Sequence, residues 1–434
     1  MSAPSPLDLD EELRGARALL DQGDAQGAER CYARILTIAP DNTEALNYLG
    51  ASALRAGQLA EATRLLDRAV KLDPANSNVA FNLGVAYLAA SRALEARDIF
   101  ARVLQATPNF FVARLHYGRA LELLADEDGA LTQYFAAVTR AQSQGRWLND
   151  ATTPPWLRDL AKHAMTFVHA RRKLLFEAAL APLRERHGDE ALRRVMKCLR
   201  AYLGELPLQF PDPRQRPKFL YFPDLPASTY FSRDLFPWYP MLEENVDAIR
   251  EELIAVLSAD NGLEPFLGQH SPEAISQYLG GPGKPTWDAF FFYRHGVRYD
   301  ENCARCPRTA AVLEALPTLT RIREHAPEVC FSVLAPGTHI LPHHGVTNTR
   351  LVTHLPLIVP DNCALQVGGE VHAWQEGRCV TFDDTFEHEA WNRSDRTRVV
   401  MLLDVWNPHL TAIECDAVTQ LVEAIGDFNH RSEV

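Results

Sequence analysis

The chain has no uninterrupted run of about 18 apolar residues, the minimum that crosses a bilayer as a helix. Its first residues, "MSAPSPLDLDEELRG", are acidic and lack the apolar core of a secretory signal, so a soluble, cytoplasmic protein is expected. It also lacks a positive excess: 44 Lys and Arg face 56 Asp and Glu, for a net charge of -12. A general nucleic-acid binder needs a basic field, so that class is excluded. The eight cysteines follow no framework spacing. Cys303 and Cys306 form one C-x-x-C in "ENCARCPRT" without a second pair at zinc-finger distance, and read as ordinary reduced thiols. What is present is globular: 434 residues, 47% hydrophobic and 23% charged, are enough for two or three domains with real cores.

Residues 9–142 repeat every 34 positions. Pro40, Pro74 and Pro108 close successive units, and Gly50, Gly84 and Gly118 share one place in the unit, where the first has Ala16. Ala28, Ala62, Ala96 and Ala130 share another, each followed four residues later by Tyr32, Leu66, Phe100 or Tyr134. Small residues let two antiparallel helices approach, the large one fills the gap, and proline breaks the chain between units. The pattern resembles the tetratricopeptide repeat, in about four units. The resemblance implies an α-solenoid with a curved groove that takes a peptide or partner protein; a stack serving only assembly or spacing is the alternative.

Residues 143–204 continue with apolar residues at helical spacing and are expected as capping and connecting helices. Residues 205–228, "ELPLQFPDPRQRPKFLYFPDLPAS", are rich in proline and read as a linker or an extended strap. Residues 229–425 are expected as one further domain with its β core at about 329–411. In it "MLEENVDAIREELIAVL" reads as a single amphipathic helix, and Pro307 opens another. From Val329 the runs "EVCFSVLAP", "RLVTHLPLIV", "ALQVG", "VHAWQEG", "RCVTFDD", "HEAWNRS" and "RTRVVMLLDVW" read as strands, with Gly368-Gly369 as a hairpin turn. Short strands with tight turns suggest a cupin-like, double-sheet jelly roll. The whole is thus a multidomain α+β chain.

Eight of the fifteen histidines fall between positions 325 and 409. His343, His354 and His388 lie there with Arg398. Imidazole suits iron, zinc or copper, and a fixed guanidinium clamps a carboxylate in a fork. His339, His344, His372 and His409 read as structural histidines, because a single His on a strand face is more often hydrogen-bonded than ligating. Asp383 and Asp384 read as turn carboxylates that bind backbone amides. Trp391 and Trp406 read as packing aromatics.

The segments "WDAFFFYRHG", "NCARCPRTAAVLEALP", "PGTHILPHHGVTNTRLVTHLPLIVPDNCALQV" and "WQEGRCVTFDDTFEHEAWNRSDRTRVVMLLDVWNPHLT" resemble the aspartyl/asparaginyl β-hydroxylases over about 287–411. These are Fe(II)- and 2-oxoglutarate-dependent dioxygenases on a double-stranded β-helix. The resemblance implies His343 and His388 as the two metal ligands and catalytic centre. Gly345 stands where a facial triad would place its carboxylate. It implies Ser332, His354 and Arg398 as cosubstrate-binding residues, with O2 as the further co-substrate. Val352 departs from the pattern, since animal members carry an Arg there. Arg350 lies two residues upstream on the same strand face and is expected to contact a carboxylate of substrate or cosubstrate. The implied reaction hydroxylates a C–H bond, by the family's suggestion the β-carbon of Asp or Asn in a peptide or protein recruited by the repeats. The alternatives are the same chemistry on a free amino acid or a lipid acyl chain, or a non-catalytic scaffold with a degenerate barrel.

Overall fold

The computed structural model describes residues 6–259, 262–268, 271–282 and 284–432. They divide into two compact units, one running to Arg172 with the residues from Phe428 onward, the other from Lys173 to Asp427.

The first unit is built from four helix pairs. These are α1 (Pro6–Asp21) with α2 (Ala25–Ile38), α3 (Thr43–Arg55) with α4 (Leu59–Leu72), α5 (Ser77–Ala89) with α6 (Ala93–Ala106), and α7 (Phe111–Leu123) with α8 (Glu127–Ser143). The small residue of each first helix faces the large residue sixteen positions later. A Cβ on Gly50 would meet Leu66, on Gly84 Phe100, and on Gly118 Tyr134, each at 2.6 Å. Glycine is therefore required by the bulk opposite it. Ala28, Ala62, Ala96 and Ala130 are fully buried at the same close approach. Between the two helices of each pair one residue takes the left-handed conformation: Gly23, Gly57, Ser91 and Ala125, with φ of 78°, 74°, 59° and 59°. The period of 34 thus extends to the backbone.

Helix α9 (Arg158–His187) carries the boundary between the units within it, and α10 (Arg193–Tyr202) belongs to the second. The proline-rich stretch also lies inside the second unit, as a strap with a buried inner side: Leu220, Phe222 and Leu225 are almost fully withdrawn from water. The expected single helix is two, α11 (Tyr239–Glu243) and α12 (Val246–Ser258). A short α13 (Pro272–Ile275) precedes α14 (Asp300–Arg305) and α15 (Pro307–Ala315), and α16 (Ala412–Arg431) closes the chain.

Twelve strands among the described residues form two antiparallel sheets. They are β1 (Glu264–Pro265), β2 (Leu279–Gly280), β3 (Trp287–Arg294), β4 (Val297–Arg298), β5 (Val329–Leu334) and β6 (His339–His343). Then follow β7 (Arg350–Ile358), β8 (Cys363–Val367), β9 (Glu370–His372), β10 (Val380–Phe382), β11 (His388–Asn392) and β12 (Arg398–Trp406). One sheet has the order β1-β3-β5-β12-β7-β10 with β4 on β3, and the other β2-β6-β11-β8-β9. From β5 to β8 and again from β10 to β12, successive strands alternate between the two sheets. The inward faces share one core, to which Trp287, Leu334, Val352, Phe382 and Val400 come from the larger sheet and Ile340, Leu365, Val367 and Ala390 from the smaller. The other face of the larger sheet packs Phe290, Phe331, Leu355 and Met401 against α11, α12 and α15. Strand period does this sorting, since alternate residues point to opposite faces. Gly368 and Gly369, with φ of 55° and 84°, make the β8–β9 hairpin.

Cys303 and Cys306 are buried in that second core, and burial pushes the Cys306 thiol up to about 12. All eight cysteines are free, seven of them buried.

Candidate active site

Two histidines meet where β6 and β11 pair. His343 is the register partner of His388, and their rings lie 4.1 Å apart. Each Nδ1 faces the carbonyl oxygen two residues upstream, Leu341 at 2.8 Å for His343 and Phe386 at 3.1 Å for His388. A proton on Nδ1 donated to that oxygen leaves the Nε2 lone pair of both rings free, the state a ligating imidazole needs. Burial holds both neutral: it depresses His343, and it pushes His388 down to about 3, with the neighbouring His343 adding to the effect. The adjacent His344 lies one residue past the end of β6 and has no register partner on β11.

The described residues hold no cluster of three or more His, Cys, Asp or Glu side chains able to ligate a metal. The place two residues past His343 is closed as well. A Cβ on Gly345 would run into the carboxylate of Asp384, while Gly345 N donates to the Asp384 carbonyl at 2.6 Å. A metal held by this pair would have two protein nitrogens as its ligands and its remaining positions open to others.

Asp383 accepts from the Thr385 backbone at 2.9 Å, as a turn carboxylate does, and also from Gln215 Nε2 at 2.7 Å. Asp384 differs, because its Oδ1 is buried without a hydrogen-bond partner and burial pushes its carboxyl up to about 8.

The second half of the site sits on the inward face of the larger sheet. Arg398 opens β12 beside β5 and is 1% exposed. Its nearest polar contacts are weak: Nη1 lies 3.4 Å from Ser332 O and 3.5 Å from Ser332 Oγ. No carboxylate among the described residues pairs with it. Its guanidinium stands 5.0 Å from the centre of the Trp374 ring. Burial pushes its pKa down to about 10. Ser332 Oγ accepts from Trp287 Nε1 at 2.9 Å, which leaves the Ser332 hydroxyl proton to donate elsewhere. The His354 ring lies 5.8 Å from that of Trp374 and 5.1 Å from that of Phe382, which in turn is 5.8 Å from His388. Burial first, and then the Arg398 charge, hold His354 well below the usual histidine range.

Three buried nitrogens converge here with no partner: Arg398 Nε, His354 Nδ1 and Trp374 Nε1. Each such atom costs on the order of 1–3 kcal/mol, and an unpaired buried charge costs more. A fold keeps a group of this kind where a ligand satisfies it.

Of the six residues singled out in the sequence, His343, His388, His354, Ser332 and Arg398 share this interior. Arg350 does not join them as a free cation. It forms a buried ion pair with Asp404 on β12, because a guanidinium withdrawn from water takes the nearest internal carboxylate. Sequence reasoning missed Trp374, Trp287 and Gln215. Both tryptophans stand in the quoted motifs, but nothing in a strand pattern distinguishes an indole facing a pocket from one in the core. His339 is a structural histidine on Glu389 at 2.6 Å.

Residues 243–408 match the family described as aspartyl/asparaginyl beta-hydroxylase, and residues 19–83 and 53–110 match the tetratricopeptide repeat. The mouse protein named aspartate beta-hydroxylase domain-containing protein 2 is 38% identical over 208 residues, covering 47% of this chain and 58% of its own. Human aspartyl/asparaginyl beta-hydroxylase is 36% identical over 171 residues, 39% of this chain and 21% of its own. The ornithine lipid ester-linked acyl 2-hydroxylase of Rhizobium tropici is 38% identical over 177 residues, 40% of this chain and 58% of its own. The chain spans less than two thirds of the length of each.

Proposed function

We propose that this chain, whose residues 243–408 match the aspartyl/asparaginyl β-hydroxylase family and are preceded by tetratricopeptide-repeat matches, is an Fe(II)- and 2-oxoglutarate-dependent dioxygenase that hydroxylates a C–H bond. The observation that carries the reading is the set of unpartnered nitrogens around Arg398, one interior away from a pair of neutral histidines.

The residues fit both groups. His343 and His388 would hold the iron through Nε2. Arg398, with the Ser332 hydroxyl and Trp374 Nε1 as donors, would take the distal carboxylate of 2-oxoglutarate, and His354 lines the pocket between. When bound, iron and 2-oxoglutarate supply an oxidant strong enough for an unactivated C–H bond. The protein's own part is orientation and dryness. Nδ1 hydrogen bonds fix the ring tilt of both ligands. Phe382 and Trp374 wall the space between histidines and guanidinium, so charge is paired there at low dielectric.

The substrate proposed is the β-carbon of Asp or Asn in a peptide or protein, with the repeats as the recruiting surface. The Rhizobium relative's name carries the second reading, the same chemistry on a lipid acyl chain. No helix among the described residues is long and apolar enough to cross a membrane.

The test is succinate formation from 2-oxoglutarate with Fe(II), paired with binding of 2-oxoglutarate to the Mn(II)-loaded protein followed by tryptophan fluorescence. The wild type forms succinate and binds. Arg398→Ala keeps Mn(II) and loses 2-oxoglutarate; His388→Ala loses Mn(II). Unchanged 2-oxoglutarate affinity in Arg398→Ala would refute the clamp.

A further inference from the structure

Arg350 is paired with Asp404, Val352 brings no charge, and Arg398 is the cation assigned above to the cosubstrate, so among the described residues these strands offer a substrate beside the histidines no further unpaired cation. The proline-rich strap does. It is tied to both histidine-bearing loops through its backbone: Arg216 N donates to Thr385 O at 2.8 Å, Lys218 N to Gly345 O at 3.0 Å, and Phe219 N to Val346 O at 2.9 Å. Gln215 is buried between them and donates to Asp383 at 2.7 Å, so the strap cannot slide without breaking an internal bond. With Gln215 turned inward, Arg214, Arg216 and Lys218 are left exposed.

Two of these three cations are unclaimed. Arg214 is paired with Asp212. Arg216 makes only a 3.3 Å bond to the Pro213 carbonyl, and Lys218 has no carboxylate partner among the described residues. Lys218 Nζ lies 6.0 Å from the centre of the Tyr278 ring, which stands edge-on at 6.2 Å from His343. The carboxylates nearby are the exposed Glu387, next to His388, and Asp384, which lies against Gly345. A chain of net charge -12 thus carries two unpaired cations at the rim of its histidine pair.

From this we infer that Arg216 and Lys218 are specificity-determining residues that anchor a carboxylate of a peptide substrate beside the histidines. The inference rests on the oxygenase reading and adds the chemistry of what is recognised. A peptide is favoured over an acyl chain by the walls. None of the large exposed apolar side chains among the described residues falls on 214–219, 275–280, 343–348 or 383–388. An acyl chain needs such a surface, and an acidic peptide needs the one that is there.

The experiment measures binding to the full chain, free of metal, by fluorescence anisotropy. The probe is a short labelled peptide with one Asp between two Glu. Its Asn/Gln analogue and vesicles containing anionic phospholipid are the other arms. The acidic peptide binds, the analogue binds more weakly, and raising salt from about 50 to about 300 mM weakens the first more than the second. Lys218→Ala and Arg216→Ala each lose about 3- to 10-fold, Lys218→Glu loses more, and Lys218→Arg restores most of it. Equal binding by wild type and Lys218→Glu, no binding of the acidic peptide, or capture by vesicles with indifference to peptide each overturns the inference. Failure of the oxygenase reading shows separately, as absence of succinate and of 2-oxoglutarate binding with peptide binding intact.

Discussion

Arg398 makes the plainest statement at the scale of single residues. A guanidinium almost wholly removed from water, with hydrogen bonds no shorter than 3.4 Å, one aromatic face at 5.0 Å and no counter-ion among the described residues, is poorly compensated in the empty fold. Replacing an uncompensated buried charge with an apolar side chain of similar length relieves the desolvation it suffers. Arg398→Met is expected to raise the stability of the ligand-free protein by about 1–3 kcal/mol in urea titration while abolishing 2-oxoglutarate binding. A loss of stability would mean that Arg398 is a structural residue. The histidine pair gives a pH dependence with a definite sign. Both are held below the ordinary value, His388 at about 3, so between there and about 6.5 the unfolded chain binds more protons than the folded one. Their contribution is fully present above about 6.5 and is lost as pH falls toward 3. Thermal melts of the metal-free protein should show the midpoint dropping over that window. His388→Gln should drop less, and an equal drop would assign the effect to other groups.

Among the elements, the repeat helices show how a backbone demand can be met unequally. Positions 23, 57, 91 and 125 all require positive φ, yet only the first two are glycine. An L side chain in that region costs about 1 kcal/mol or more. Ala125→Gly and Ser91→Gly are each expected to stabilise the chain by about 0.5–1 kcal/mol, and Gly57→Ala to destabilise it by about 1 kcal/mol. Midpoints in denaturant check this, with the two signs opposed at equivalent sites. The helix pairs were legible in the sequence because their signal is repeated: Gly50, Gly84 and Gly118 stand opposite bulky residues at a constant offset. Strand β5 and the strands from β7 onward were legible from alternation and turns. Strand β6, which carries His343, was not among the expected strands, since Pro342 interrupts its short run and proline argues against a central strand. It survives because its pairing with β11 shifts register between His388 and Ala390, the kind of irregularity that relieves a ladder of one donor. The expected helix across Met241–Leu257 is split near Asn245, and the helix opened by Pro307 stops at Ala315, ahead of Pro317. Residue type identified the ligand candidates, but the ion pair that Arg350 makes with Asp404 joins residues 54 positions apart and leaves no local trace.

Across the whole molecule, chemistry and recognition fall in different stretches of chain. The histidines and the guanidinium lie between residues 332 and 398, the cations at their rim come from a strap more than a hundred residues earlier, and the repeats are earlier still. The strap's burial and its ties to Gly345, Val346 and Thr385 explain how a proline-rich segment serves as a wall rather than a tether. Prolines there hold the backbone extended at little entropic cost and leave the remaining amides to pair with the loops. This arrangement predicts where ligands will be felt. A ligand that binds only the native state stabilises it by RT ln(1 + [L]/Kd), about 2.7 kcal/mol at a hundredfold excess over Kd. That stabilisation should appear as slowed hydrogen exchange in the elements that hold the ligand. With Mn(II) and 2-oxoglutarate added, peptides spanning β5 to β7, β10 to β12 and the strap at 214–222 are expected to gain protection, while peptides from 9–142 exchange unchanged. In Arg398→Ala, Mn(II) alone should still protect β6 and β11, with no further gain from 2-oxoglutarate. Protection spread evenly over both units would mean that the ligand acts on global unfolding. Protection of the sheets without the strap would remove it from the wall of the site, and with it the basis for Arg216 and Lys218 as anchors.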